Sequence, residues 1–160
     1  MNRRKFLGLG LGLGVAAVMT PATLSATNFR DTKPGAWSGQ NATAIDSSMK
    51  ELYGTSATTE GKVKLKAPAI AENGAVVPIT ISSKLAGKTV ALFQDANPES
   101  LVAVFTVPAN GVIDYSLRIK MAKTGKVVAV VEVDGKLYSA SANVKVTAGG
   151  CGGWFYHQRK

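Results

Sequence analysis

The sequence predicts an all-β fold: an antiparallel sandwich with a short N-terminal helix and a flexible C-terminal arm. Three observations lead there. From Lys62 to Thr147 apolar and polar residues alternate repeatedly with the period of two that marks strands with one dry face. Turn-forming residues divide these segments at intervals of roughly ten residues, with no helix between consecutive strands, which argues against a βαβ parallel sheet. One upstream stretch alone has helical spacing. The chain has 160 residues, 46% of them hydrophobic and 18% charged, a composition that supports one sizeable core and is not that of a disordered chain. Seven or so strands in this order describe an immunoglobulin-like β-sandwich. The disulfide and core tryptophan of antibody domains are missing, so the likeness is one of architecture.

Residues 1–26 read as a twin-arginine signal peptide. Arg3 and Arg4 are followed by Phe6 and Leu7, then by a glycine-rich apolar run through Met19 and a polar segment of small residues. The apolar run has about a dozen residues, well short of the roughly 20 that cross a bilayer as a helix, and its glycines disfavour a stable helix. Cleavage near Ala26, release into the periplasm and no stable membrane anchor are therefore expected. The formal net charge is +9, from 19 lysines and arginines against 10 acidic residues. Removing Arg3, Arg4 and Lys5 leaves the mature chain basic. Its lysines are spread along strand-like segments without a nucleic-acid-binding motif, which argues against nucleic acid and for small anions or an acidic protein surface.

Residues 27–56 form an N-terminal segment with the helix. In "QNATAIDSSMKELY", Ala42, Ile45, Met49 and Leu52 share one face, Asn41 or Thr43 can cap the start, and Gly54 follows the end. Asp46 and Lys50 fall on the solvent side. Residues 57–147 then hold the sandwich: "KVKLK" from Lys62, "AVVPITIS" from Ala75, "KTVALFQ" from Lys88 and "SLVAVFTV" from Ser100. The clearest alternation is "GVIDYSLRIKM", with Ile113, Tyr115, Leu117, Ile119 and Met121 on one face and Asp114, Ser116, Arg118 and Lys120 on the other. "KVVAVVEVDGKLYSASANVKV" is a hairpin around Asp134-Gly135, whose last strand ends near Thr147. "VVAVV" from Val127 and "LVAVF" from Leu101 are apolar on both faces, which a lone two-layer sandwich does not require. Either the helix covers the second face, or a partner protein does, or both.

Residues 148–160 carry the only cysteine, Cys151, between Gly149-Gly150 and Gly152-Gly153. A single cysteine in an exported chain cannot form an internal disulfide, so the thiol is either paired between molecules or chemically employed. A thiol of ordinary pKa, about 8.5, is only a few per cent ionised at neutral pH, and a nucleophilic enzyme cysteine needs a base held in a pocket. Glycine neighbours supply no wall. His157 lies on the same tail, but a Cys-His dyad needs rigid supports and an orienting group, and two ligands on one mobile segment fall short of a metal site. A side-chain-free arm suits a different task, the delivery of a covalently attached group into narrow active sites. From Thr147 to Cys151 it reaches about 13 Å at roughly 3.3 Å per residue. Ordering each glycine costs on the order of 1–2 kcal/mol, which keeps every visit releasable.

"VVAVVEVDGKLYSASANVKVTAGGCGG" resembles the C-terminal part of SoxY, the sulfur-carrier subunit of the periplasmic thiosulfate-oxidising system, and "ENGAVVPITI" and "DANPESLVAVFTV" resemble its upstream strands. The likeness covers essentially the mature domain. It implies that Cys151 is the covalent attachment site for thiosulfate-derived sulfur and that Gly149, Gly150, Gly152 and Gly153 form the carrier arm. It also implies an immunoglobulin-like fold, a heterodimer with a SoxZ-like subunit exported together with this chain, and no cofactor or metal of its own. The chemistry would belong to a haem enzyme, a hydrolase and a sulfane dehydrogenase. Two other readings stay open: an exported thiol enzyme with Cys151 as nucleophile, and a structural or interaction sandwich.

The chain departs from that pattern by continuing through "WFYHQRK". Either these residues are a solvated tail, or Trp154, Phe155 and Tyr156 dock on the domain or a partner while Arg159 and Lys160 attract the anionic cargo. The solvated reading predicts that deleting Trp154 to Lys160 leaves the thermal melting temperature unchanged. A large drop would show that the tail is part of the packed fold.

Overall fold

The computed structural model describes residues 28–37 and 44–147. Nine strands follow the N-terminal segment: β1 (Thr59–Glu60), β2 (Val63–Lys66), β3 (Ile70–Ala71), β4 (Val77–Ser83), β5 (Thr89–Gln94), β6 (Leu101–Thr106), β7 (Ile113–Ile119), β8 (Gly125–Val133) and β9 (Lys136–Val146). They form two sheets. The smaller has the order β2-β4-β7, and the larger runs β1-β9-β8-β5-β6 with β3 also paired to β9. β8 and β9 pair antiparallel from Val133↔Lys136 to Gly125↔Val144. Asp134 and Gly135 form their turn with φ of 48° and 78°, the left-handed pair that suits the twist of a two-residue hairpin.

Two apolar clusters occupy the two faces of the larger sheet. Between the sheets, Val90, Leu92, Val127, Ala129 and Val131 meet Val77, Ile79, Ile81, Ile113, Ile119 and Met121. On the opposite face, Ala91, Phe93, Val128, Val130, Leu101 and Leu137 meet Ala36, Trp37, Met49 and Leu52. The last four come from the N-terminal segment, which folds as α1 (Phe29–Thr32), a 3₁₀ turn (Pro34–Ala36) and α2 (Ile45–Tyr53). The open question of β8's second face is thus answered: the helix covers it. For β6 the cover is partial, since Leu101 is buried whereas Val102 to Phe105 are half-buried.

The β-sandwich, the helix face of Ile45, Met49 and Leu52, the alternation of β7 and the Asp134-Gly135 hairpin are as the sequence predicts. Gly54 ends α2 in the left-handed conformation at φ 79°. Other features differ. α2 starts at Ile45 after Ala44, which offers no side-chain cap; Asn41, Ala42 and Thr43 lie outside the described residues. α1 and the 3₁₀ turn are additions, too short for a periodic signal. The sheet is not wholly antiparallel, because β1 and β3 each add a two-residue parallel ladder to β9. Two residues cannot display a period, so nothing in the pattern marks them.

α2 is tied to the sheet through Tyr53, whose hydroxyl shares a 3.0 Å hydrogen bond with Thr89 Oγ1 at the start of β5. Burial of the ring end raises its pKa from 10.0 to about 12; the hydrogen bond opposes this, and the Glu132 carboxylate adds to it. An acid whose folded pKa is raised loses its proton first in the unfolded chain. Tyr53 therefore contributes its stability in full below pH 10, and that stability is lost as pH rises toward 12. Chemical denaturation at pH 9 and pH 11.5 should show a loss on the order of 2 kcal/mol in the parent that is absent in Tyr53→Phe. Equal losses in both would remove Tyr53 as the cause.

Candidate functional site

Cys151, Gly149, Gly150, Gly152 and Gly153, together with His157 and the aromatic tail, lie outside the described residues. The structure does describe the surface from which they depart, and that surface is built with care. β9 reaches it at Lys145–Thr147. On one side, Lys145 N–H donates to the Ala69 carbonyl at 2.9 Å and Thr147 N–H to the Ala71 carbonyl at 3.2 Å. On the other, Val146 N–H donates to Thr124 Oγ1 at 3.0 Å. The strand end is gripped from both edges up to the last described residue.

The gripping loops are themselves pinned. Asn97 brackets the β7–β8 connection, its Nδ2 donating to the Lys120 carbonyl at 2.8 Å and its Oδ1 accepting from Ala122 N–H at 2.9 Å. Asp95 does the same for the start of β8: its carboxylate accepts from Lys126 N–H at 2.6 Å, and its own N–H donates to the Lys126 carbonyl at 3.2 Å. Met121 N–H donates to the Gly74 carbonyl at 2.7 Å. Gly74 has no room for a side chain, since a Cβ there would run into the Met121 carbonyl and lie 3.0 Å from Val146 Cγ1. Each link exchanges a loop's freedom for a paired polar group, and together they hold the connections that flank the end of β9.

Exposed Lys120, Lys123, Lys126 and Lys145 stand on these segments, against Glu72, Asp95 and Glu99. Four lysines against three carboxylates leave a small positive surplus, which favours small anions near the arm's root. An open cleft of about 440 Å³ adjoins the Asn97 bracket, lined by Arg30, Gln94, Leu101 and Lys120 among others. A larger one, about 610 Å³, lies at the other end of the sandwich, where Lys62, Lys64 and Lys84 surround Val63, Leu85 and Val112. Among the described residues no three His, Cys, Asp or Glu side chains gather as metal ligands.

The sequence singles out the thiol and its glycines, which lie outside the described residues, and gives no sign of Asn97, Asp95, Thr124 and the Ala69–Ala71 segment. "QDANPES" announces a turn. That its asparagine reaches across to residues 120 and 122 is a tertiary fact without a local signal.

A family model described as sulfur oxidation protein SoxY matches residues 49–151. Among solved structures, the sulfur carrier protein SoxY from Chlorobium limicola f thiosulfatophilum aligns at 40% identity with a TM-score of 0.60, covering 65% of this chain and 96% of that one. A superoxide reductase (neelaredoxin) from Ignicoccus hospitalis aligns at 15% identity with a TM-score of 0.49, over 54% of this chain and 81% of that one. No curated protein matches.

Asn97→Ala removes both halves of the bracket and should cost about 1–3 kcal/mol of unfolding free energy. Amide exchange at Met121 and Ala122 should accelerate more than in β8. Uniform acceleration across the domain would mean that Asn97 serves global stability and not the root in particular.

Proposed function

Since the chain belongs to the SoxY family of sulfur oxidation proteins, we propose that it carries sulfur intermediates of thiosulfate oxidation covalently on Cys151. The observation that carries this reading is the family match itself, which runs from Met49 in α2 through the strands and ends on Cys151. The anchoring of Thr147 supports it, because a carrier needs a fixed departure point as much as a thin arm.

Loading joins the Cys151 sulfur to the sulfane sulfur of thiosulfate. The thiol proton is released, two electrons would pass one at a time to a haem-containing partner enzyme, and a cysteine S-thiosulfonate remains. A partner hydrolase then adds water across the terminal sulfur–sulfur bond, releasing sulfate and two protons and leaving a persulfide anion on the carrier. The persulfide is the substrate of a sulfane dehydrogenase, whose product is hydrolysed in turn. At each step the enzyme provides the base, the oxidant or the water, and the carrier provides a sulfur atom on a stem without side chains. The protein is a substrate of these enzymes and not itself a catalyst. The reading places it in the periplasm after twin-arginine export, paired with a SoxZ-like subunit, and the lysines around the arm's root attract the dianionic substrate.

Intact-mass spectrometry after incubation with thiosulfate tests the proposal. A thiosulfonate adduct should form on the parent chain when periplasmic extract is present, be absent when thiosulfate is given alone, and be absent from Cys151→Ser under both conditions. Turnover of thiosulfate by the purified chain alone would contradict a pure carrier, and no adduct under any condition would sink the reading.

A further inference from the structure

We propose that the edge of β6, which no other described strand pairs, is where a second, different β-protein adds a strand to the larger sheet. The inference rests on the carrier reading in one respect only, that the chain works as one half of a heterodimer. A sheet edge exposes unpaired N–H and C=O groups, and monomeric proteins blunt such edges with charge, proline or brevity. The described edges of this domain follow that rule with one exception. β2 carries Lys64 and Lys66 among its four residues, and β7 carries Asp114 and Arg118. β1 and β3 are two residues long. β6, "LVAVFT", has six residues, no charge and no proline.

Its geometry suits strand addition over the second half of its length. The register with β5 shifts between Leu92 and Phe93, so that Val102 is the extra residue of a bulge and Ala103–Thr106 run straight. Val107 N–H bonds the Lys88 carbonyl, and antiparallel alternation then turns the backbone groups of Thr106 and Val104 to the open side. The edge is also held still. Phe105 stacks on Tyr115 of β7 with centroids 4.9 Å apart and planes 10° from parallel, which ties β6 to the smaller sheet. Val104 leans on the helix-side cluster, and Val102 and Phe105 on the inter-sheet core, so both faces continue apolar up to the boundary.

These features specify the occupant. Outward backbone groups in strand register select another strand, and the absence of any charge selects an uncharged one. A second copy of this chain fits less well, because two mature chains, both still basic after loss of Arg3, Arg4 and Lys5, repel. The partner is a different β-protein, less basic than this one, that offers an apolar edge of its own.

The test uses the full chain and a separately purified SoxZ-like subunit. Val104→Pro deletes an N–H that faces the open side, and Val104→Lys installs the missing charge; Lys64→Ala on β2 is the control. Both Val104 variants should melt somewhat below the parent, because Val104 also packs on the helix-side cluster, and should bind the subunit at least about tenfold more weakly at a temperature where both are folded, with Lys64→Ala unchanged. In the parent complex the amides of Val104 and Thr106 should gain protection from hydrogen exchange, a readout that stands even if a variant misfolds. Parent-like affinity in both variants, no added protection at these amides, or a parent that self-associates through this edge would each overturn the proposal. Cys151 loading, measured on the same samples, separates its failure from failure of the carrier reading: an adduct on a chain whose β6 edge binds nothing would retire the edge alone.

Discussion

A sheet with no wet side at its centre is the constraint on which the rest of this structure depends. Along β5, Val90 and Leu92 point into the sandwich while Ala91 and Phe93 point away from it, and all four are fully buried. β8 repeats the arrangement with Val127, Ala129 and Val131 against Val128 and Val130. Each large side chain buried on the outer face contributes about 1.5–3 kcal/mol that a two-layer sandwich would forfeit to water. The N-terminal segment is therefore a third layer of the domain and not an appendage, and Tyr53 and Trp37 are part of its seal.

With both faces closed, the sheet makes a stiff platform, and the polar links at one of its ends acquire a purpose. Asn97, Asp95 and Thr124 attach backbone to side chain over separations of 22 to 31 residues. Such links fix loops that strand pairing alone would leave loose. They gather at the end from which the cysteine-bearing segment leaves. On the carrier proposal two features are complementary: the anchored backbone before Thr147 would set where the cargo starts from, and the glycines around Cys151 would leave the choice of reaction to whichever enzyme receives it.

Much of this was legible in the sequence, and the limits are physical. Period-two alternation names β7 residue by residue because one of its faces is wet. The run at Val127 hides its facing for the opposite reason, since a strand apolar on both sides carries no phase. That ambiguity is itself informative, since a strand apolar on both sides calls for a second cover. The parallel ladders of β1 and β3 are invisible, being two residues each and joined to β9 far along the chain. The anchoring of the arm's root was hidden too, because Asn97 and Thr124 look like ordinary turn residues until tertiary packing brings their partners within reach. Cys151 and its glycines needed no fold to be noticed: a sole thiol among glycines is a local, compositional signal.

The two short ladders carry a last consequence, for the order of folding. Thr59 pairs with Tyr138 and Ile70 with Lys145, so β1 and β3 wait for a strand made more than about seventy residues later. Such long-range pairing raises contact order and defers completion, because loop closure must precede the contacts that reward it. Of the described strands β9 is made last, and the grip on Lys145 and Thr147 from the Ala69–Ala71 side closes only when β3 meets it. The anchorage of Lys145 and Thr147 is thus assembled late in folding, after β9 has found its parallel partners.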